Sequence, residues 1–209
     1  MHSFHLKLMG LIFITMLLTS CALTYLADTW HNPNMTFLRH HKLLLVYISK
    51  NETTCKVYED YLAGELRRRG IESVAGHAIF PMGKRVNSQT IAKGVEESGA
   101  DAVLTMKNIG ALRQTSLPPD NADIYKNYWY PGSFLRWDLY GYMDGASYYE
   151  SPYISIYEIA KIQVNLFDVQ SGKLQSATTI QTAEPENVPS VSKELSTIVI
   201  NSLINEGLI

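Results

Sequence analysis

The alternation of apolar and polar positions predicts a sheet with helices packed on it across residues 42–209. Short continuous apolar runs are typical of strands that are buried on both faces, and apolar residues at helical spacing are typical of amphipathic helices. By these criteria we expect strands at 42–48, 71–75 and 101–107, a helix at 53–69, and a second helix between Asn87 and Gly99. The order strand, helix, strand, helix, strand favours parallel pairing.

The C-terminal part of the chain follows a different pattern. Residues 154–167 alternate between apolar and polar positions, which indicates a strand with one wet face, as antiparallel strands have. Ser171 and Gly172 predict a turn into a second strand at 173–182, and an amphipathic helix is expected from about Pro189 until Gly207 ends it. The predicted fold class is therefore α/β (α+β), with a mixed sheet and the order β-α-β-α-β, an aromatic loop, then β-β-α.

An apolar run near the N-terminus predicts an export signal. Residues 8–18 are apolar and follow a weakly basic start, and Leu18-Thr19-Ser20-Cys21 matches the pattern at which a bacterial lipoprotein signal peptide is cut. We expect residues 1–20 to be removed, Cys21 to be acylated, and residues 21–41 to form a lipid-anchored segment that lies partly against the domain at 42–209. An uncleaved membrane helix from about Leu8 to Ala27, or an ordinary signal peptide, is the alternative.

Composition and motifs argue against several classes of partner and of active site. A net charge of −2 without a basic stripe argues against nucleic acid as a partner. We find neither a Gly-rich phosphate loop nor histidines at metal-ligand spacing, so no cofactor and no metal are expected beyond the lipid on Cys21. Cys55, the other cysteine, is interpreted as a small buried apolar residue rather than a reactive thiol. Carboxylates near the aromatic loop leave a hydrolase as a weak third reading.

The aromatic loop at 120–153 is the second candidate for function. Tyr and Trp side chains are common in protein interfaces and sugar platforms, and a loop this long is often functional. Alternatively, the rings pack on the domain's own sheet, or they touch the membrane surface. The candidate partner-binding residues are Tyr128, Trp129, Tyr130, Phe134, Trp137, Tyr140, Tyr142, Tyr148 and Tyr149.

Several segments carry a family resemblance. They are Trp30-His31-Asn32-Pro33, residues 44–53, Leu66-Arg67-Arg68-Arg69-Gly70-Ile71-Glu72, residues 97–104 and residues 165–174. Together they resemble a widespread family of uncharacterised Gram-negative outer-membrane lipoproteins that have an α/β domain and a Tyr-rich insertion. The resemblance covers nearly all of the chain after Cys21 and implies no catalytic residues.

These observations lead to one functional hypothesis with alternatives. The chain is expected to be a non-enzymatic, lipid-anchored domain on the periplasmic face of the outer membrane. It would act as a structural or accessory subunit of an outer-membrane protein assembly, such as a secretion complex. Its expected partners are outer-membrane or periplasmic proteins and, through the lipid, the membrane. The runner-up is a module that binds peptidoglycan or another envelope glycan through the aromatic loop.

Overall fold

Six strands form a single mixed sheet in the computed structural model, which describes residues 24–35, 38–80, 86–112, 134–148, 159–183 and 187–209. The strands in chain order are β1 (Thr24–His31), β2 (Lys42–Tyr47), β3 (Glu72–Ala75), β4 (Ala102–Leu112), β5 (Ile159–Asp168) and β6 (Leu174–Ala183). Their order across the sheet is β1-β6-β5-β4-β2-β3. β3, β2 and β4 pair in parallel, whereas β4, β5, β6 and β1 pair antiparallel, so the predicted mixed sheet is confirmed.

Within the described residues, four helices pack on this sheet. They are α1 (Glu52–Arg68), α2 (Ser88–Ser98), α3 (Leu139–Tyr148) and α4 (Val188–Asn205), and a short 3-10 turn covers Gly76–Ala78. α1 and α4 cover one face of the sheet, where they pack with Leu45 and Leu104 in one core cluster. α2 and α3 cover the other face, where Val103 and Phe167 point.

Local signals in the sequence explain where the helices begin and end. The Asn51 side chain accepts from the Thr54 N–H at 3.0 Å and starts α1, and basic residues occupy its last turn. Asn87 and Thr90 form a reciprocal capping box at the start of α2, and Gly99 ends that helix at φ 62°. The predicted helices therefore agree closely with α1 and α2.

Two elements were missed by the sequence prediction. β1 lies in the segment that we expected only to rest against the domain, and α3 lies inside the predicted aromatic loop. The first positions of the predicted strand at 154–167 lie outside the described residues, and its described part starts at Ile159. The mixed sheet thus has an additional edge strand and an additional covering helix.

We name the two ends of the sheet after residues of β1. We call one the Thr24 end, where β1 begins beside Thr182 of β6, and where β4 ends and β5 begins. The other is the His31 end, where β1 finishes beside Ser176, and where β2 and β4 begin. Seven residue steps of strand span about 23 Å, so the two ends lie that far apart.

Candidate functional site

The described rings of the aromatic segment form a connected cluster against the sheet. Phe134, Trp137 and Tyr142 are buried. Their ring centroids are 4.6 Å apart for Phe134–Trp137 and 4.9 Å apart for Trp137–Tyr142, and Tyr142 lies 5.0 Å from Phe167 of β5. These three candidate residues are part of the core layer under α3, as in the alternative in which the rings pack on the domain's own sheet.

The other candidate residues are not part of this buried cluster as far as the structure describes them. Tyr140, the second residue of α3, is 38% exposed. Tyr148 ends α3. The remaining candidates, namely Cys21, Tyr128, Trp129, Tyr130 and Tyr149, lie outside the described residues. Among the candidate rings whose exposure the structure describes, Tyr140 is therefore the one that α3 presents to solvent.

Large exposed apolar side chains concentrate at the two ends of the sheet. The Thr24 end carries Tyr25 and Leu26 on β1, and Tyr61 lies along α1. The exposed apolar side chains at the His31 end are Leu38, Leu135, Tyr140 and Ile204.

Backbone hydrogen bonds and one ring contact place these four residues at the His31 end. Phe134, which precedes Leu135, has its ring centroid 5.3 Å from that of Trp30, one residue before the end of β1. Leu38 lies two positions before His40, whose N–H donates to the Leu208 carbonyl just beyond α4. The N–H of Leu139, at the start of α3, donates to the Gly172 carbonyl in the β5–β6 turn. Ile204 lies in the last turn of α4. Among the described residues, this end offers the largest number of exposed apolar side chains for a partner.

Sequence reasoning identified Tyr140 but missed Leu38, Leu135 and Ile204. Each is a single apolar residue in a connection or on a helix rim, and such residues are common on protein surfaces. Only the fold brings connections from distant parts of the chain to one end of the sheet.

A buried carboxylate lies near the β3 edge of the sheet, where the parallel strands β2 and β3 end. Glu59 of α1 is 2% exposed. Its carboxylate accepts from the N–H of Tyr47 at 2.8 Å, from the N–H of His77 at 2.7 Å and from His77 Nδ1 at 2.9 Å. Burial raises the pKa of the Glu59 carboxyl, and the donors from Tyr47 and His77 oppose that shift.

The geometry of this cluster is that of a structural clamp. His77 Nε2 lies 3.2 Å from Asp60 Oδ1, so both ring nitrogens face carboxylates of α1. Neither nitrogen is directed at open space where a substrate could give up a proton. The cluster holds the ends of β2 and β3 against α1.

Cys55 lies one helical turn before Glu59 and is not activated. Its Sγ donates to the Tyr47 carbonyl at 3.1 Å. Burial, followed by the nearby Glu59 charge, raises the thiol pKa to about 12. The thiolate is the reactive form of cysteine, so this side chain is a poor nucleophile at neutral pH, in accord with its interpretation as a structural residue.

A strip of buried polar side chains crosses β4 and β5 beneath α3. Thr105 pairs with Asn165, and Lys107 pairs with Gln163, across the two strands. The Lys107 ammonium donates to the Ala146 carbonyl at 2.5 Å, near the end of α3. Thr105 Oγ1 and both amide groups of Gln163 and Asn165 find no hydrogen-bond partner in the described structure. Such groups reduce stability, since each buried and unpaired one costs about 1–3 kcal/mol.

Two further findings concern only the part of the chain that the structure describes. No group of three or more His, Cys, Asp or Glu side chains there is arranged to hold a metal ion. None of its helices combines the length and the apolar character needed to cross a membrane.

Comparisons with known proteins give distant structural neighbours only. No family model and no curated protein matches the chain. A point variant of the PelC dodecamer from Paraburkholderia phytofirmans matches with 11% identity and a TM-score of 0.43, over 82% of this chain and 94% of that one. A second PelC dodecamer structure from the same organism matches with 10% identity and a TM-score of 0.40, over 84% and 94%. Likenesses at this level carry no argument about function.

Proposed function

We propose that this protein is a lipid-anchored accessory subunit of an outer-membrane protein assembly. Cys21 carries the lipid and holds the domain at the periplasmic face of the membrane. The domain itself performs no chemistry, and it binds an envelope protein through the exposed apolar residues of the His31 end. The observation that carries this proposal is the concentration of Leu38, Leu135, Tyr140 and Ile204 at that end.

The position of the anchor supports this division of roles. Cys21 precedes Thr24 by three positions, so the lipid attaches beside the Thr24 end of the sheet. The His31 end then lies about 23 Å farther along β1, and it is directed away from the membrane. A partner in the periplasm, or the periplasmic part of a membrane protein, can reach it there.

The chemistry of the described residues favours a binding role over catalysis. The titratable cluster at Glu59 is closed by its own hydrogen bonds, and Cys55 has a raised pKa. The rings of Phe134, Trp137 and Tyr142 are buried, so they offer no face on which a sugar could stack. A glycan-binding role would have to use other rings.

The anchor is tested by Cys21→Ser in cells that are fed an alkyne-labelled fatty acid. The wild-type protein is expected to incorporate the label and to fractionate with the outer membrane. The variant is expected to lose the label and to accumulate as a longer precursor, because the peptidase requires the acylated cysteine. Equal processing and equal membrane retention in the two proteins would refute the anchor.

The partner surface is tested by a photo-crosslinking amino acid placed at Leu135, Tyr140 or Ile204 in the acylated protein. The matched control is the same amino acid at Tyr61, which is exposed to a similar degree on the middle of α1. We expect one discrete protein adduct from the first three positions and none from the control. Adducts that do not depend on position, or adducts only to peptidoglycan, would overturn the protein-assembly proposal.

A further inference from the structure

The start of β1 is fixed firmly to the sheet. Thr24 is buried, its hydroxyl lies 2.9 Å from the Thr182 hydroxyl, and the two residues are register partners. At the next position, the Tyr25 hydroxyl donates to Gln181 Oε1 at 2.7 Å. The first residues of the strand therefore move with the domain and do not serve as a free tether.

The chain between the proposed lipid and this fixed point is very short. Three residue steps separate Cys21 from Thr24, and they span at most about 11 Å when fully extended. The headgroup layer on one side of a bilayer is about 5–8 Å thick. Since a diacylated cysteine lies at the boundary between acyl chains and headgroups, the Thr24 end cannot move away from the membrane surface.

This end of the domain carries apolar side chains without cover. Tyr25 is 49% exposed, the highest value for a large apolar residue in the described structure, and Leu26 is 44% exposed. Tyr25 lies on the same face of the sheet as Gln181, and Leu26 on the same face as Ile180, so they project on opposite sides of β1. β1 is also an edge strand, so its outer side has no neighbouring strand within the described sheet.

The chemistry of these two side chains suits a lipid headgroup layer. Tyrosine has an apolar ring with a polar tip and is enriched at membrane interfaces, and leucine gains from leaving water. The acidic side chain of β1 comes later, at Asp28, which is exposed and hydrogen bonds locally to the N–H of Thr29. The apolar part of the strand is thus the part nearest to the anchor.

We propose that the Thr24 end of the sheet rests on the membrane surface, with Tyr25 and Leu26 in the lipid headgroup layer. This inference depends on the proposed acylation of Cys21. It deepens that proposal because it makes the bilayer a second contact of the folded domain and fixes the domain's orientation. The His31 end then points into the periplasm.

The test places a polarity-sensitive fluorophore on single cysteines of the acylated protein in phosphatidylethanolamine–phosphatidylglycerol vesicles. The labelled variants are Tyr25→Cys and Leu26→Cys, and the matched control is Ile204→Cys at the opposite end of the domain, each in a Cys55→Ser background. A small fraction of the lipids carries a spin label on the headgroup, which quenches nearby fluorophores. We expect a blue shift and at least twofold stronger quenching at positions 25 and 26 than at position 204.

Two outcomes would overturn the proposal, and they are distinguishable. If the protein floats with the vesicles but the three labels are quenched equally, the orientation is wrong while the anchor stands. If the protein does not float at all, the anchor is wrong and the orientation falls with it. Flotation is therefore measured before quenching in every sample.

A second measurement uses protein without a fluorophore, so that the inference does not depend on labelled variants. Amide hydrogen exchange across Tyr25–Asp28 is compared between the vesicle-bound acylated protein and the same protein in which Cys21→Ser prevents acylation. We expect slower exchange at the outward-facing amides of β1 only on vesicles, with residues 202–205 of α4 unchanged. Equal exchange at 25–28 in the two forms would count against membrane contact.

Discussion

Glu59 gives the sharpest prediction about stability, because one buried carboxylate accepts three hydrogen bonds. We consider Glu59→Gln, which keeps the size of the side chain but has one acceptor oxygen instead of two. In the native arrangement, one oxygen accepts from Tyr47 and the other accepts from both donors of His77. Whichever way the amide turns, its NH2 group must face a backbone N–H.

The cost follows from the bonds that are lost. If the glutamine oxygen stays with His77, the Tyr47 N–H loses its bond to residue 59 and meets an amide NH2 group instead, which costs about 1–3 kcal/mol. We therefore expect the free energy of unfolding to fall by about 1–3 kcal/mol, or the Tm to fall by about 2–12 °C for a domain of this size.

The assay is urea denaturation followed by circular dichroism on the domain without its signal peptide. The matched control is Glu97→Gln on α2, whose carboxylate is exposed and pairs with Lys93 four residues earlier. That exposed pair contributes about 0.3–0.5 kcal/mol, so the control should hardly change the midpoint. If Glu59→Gln costs no more than Glu97→Gln, the carboxylate does not carry the clamp.

The same residue predicts a pH dependence with a definite sign. Burial raises the pKa of the Glu59 carboxyl in the folded protein above its unfolded value of 4.5, so the native state binds this proton more tightly. The contribution of Glu59 is then fully present below about pH 4.5 and is lost as pH rises through the folded-state pKa. The stability difference between wild type and Glu59→Gln should shrink with rising pH, and a growing difference would contradict this reasoning.

Three further predictions concern packing and the thiol. In Gly94→Ala the new Cβ would lie 2.5 Å from a carbon of Phe80, so stability should fall by about 1–3 kcal/mol. The control Gly64→Ala meets nothing within 4 Å and should raise the Tm slightly; the opposite ranking would contradict the packing argument. Gln163→Met should raise the urea midpoint, because it removes buried amide atoms that have no hydrogen-bond partner. A lower midpoint would contradict this prediction. Cys55, with a pKa of about 12, should react with a disulfide reagent at pH 8 at least tenfold more slowly in the folded protein than in urea.

Part of the fold followed directly from local sequence. The apolar run before Tyr47 predicted a strand buried on both faces, Asn87 and Gly99 marked the boundaries of α2, and the helix predicted at 53–69 matches α1 within one residue at each end. These signals work because capping and periodic burial depend on neighbours a few positions away. The change from continuous to alternating apolar positions likewise predicted that the sheet is mixed.

β1 was missed for a physical reason. Its burial pattern is irregular, with exposed Tyr25 and Leu26 and a register shift before Asp28. It therefore lacks the alternation of buried and exposed positions that predicts a strand. Its hydrogen-bond partners lie in β6, at a sequence separation of 158 for Thr24 and Thr182. An edge strand of this kind forms because a neighbouring strand provides its backbone hydrogen-bond partners, and the local sequence pattern does not show those partners.

The candidate site, like the fold, was predictable from the sequence only in part. Sequence alone predicted a lipid anchor at Cys21 and showed the density of aromatic rings, since a short motif and the composition carry these two features. Only the tertiary structure decided that Phe134, Trp137 and Tyr142 pack in the core while Tyr140 stays exposed. It also decided that Glu59 meets His77, and that four isolated apolar residues share the His31 end. Short-range pattern shows which side chains would gain from burial, but which of them are covered depends on packing between distant segments.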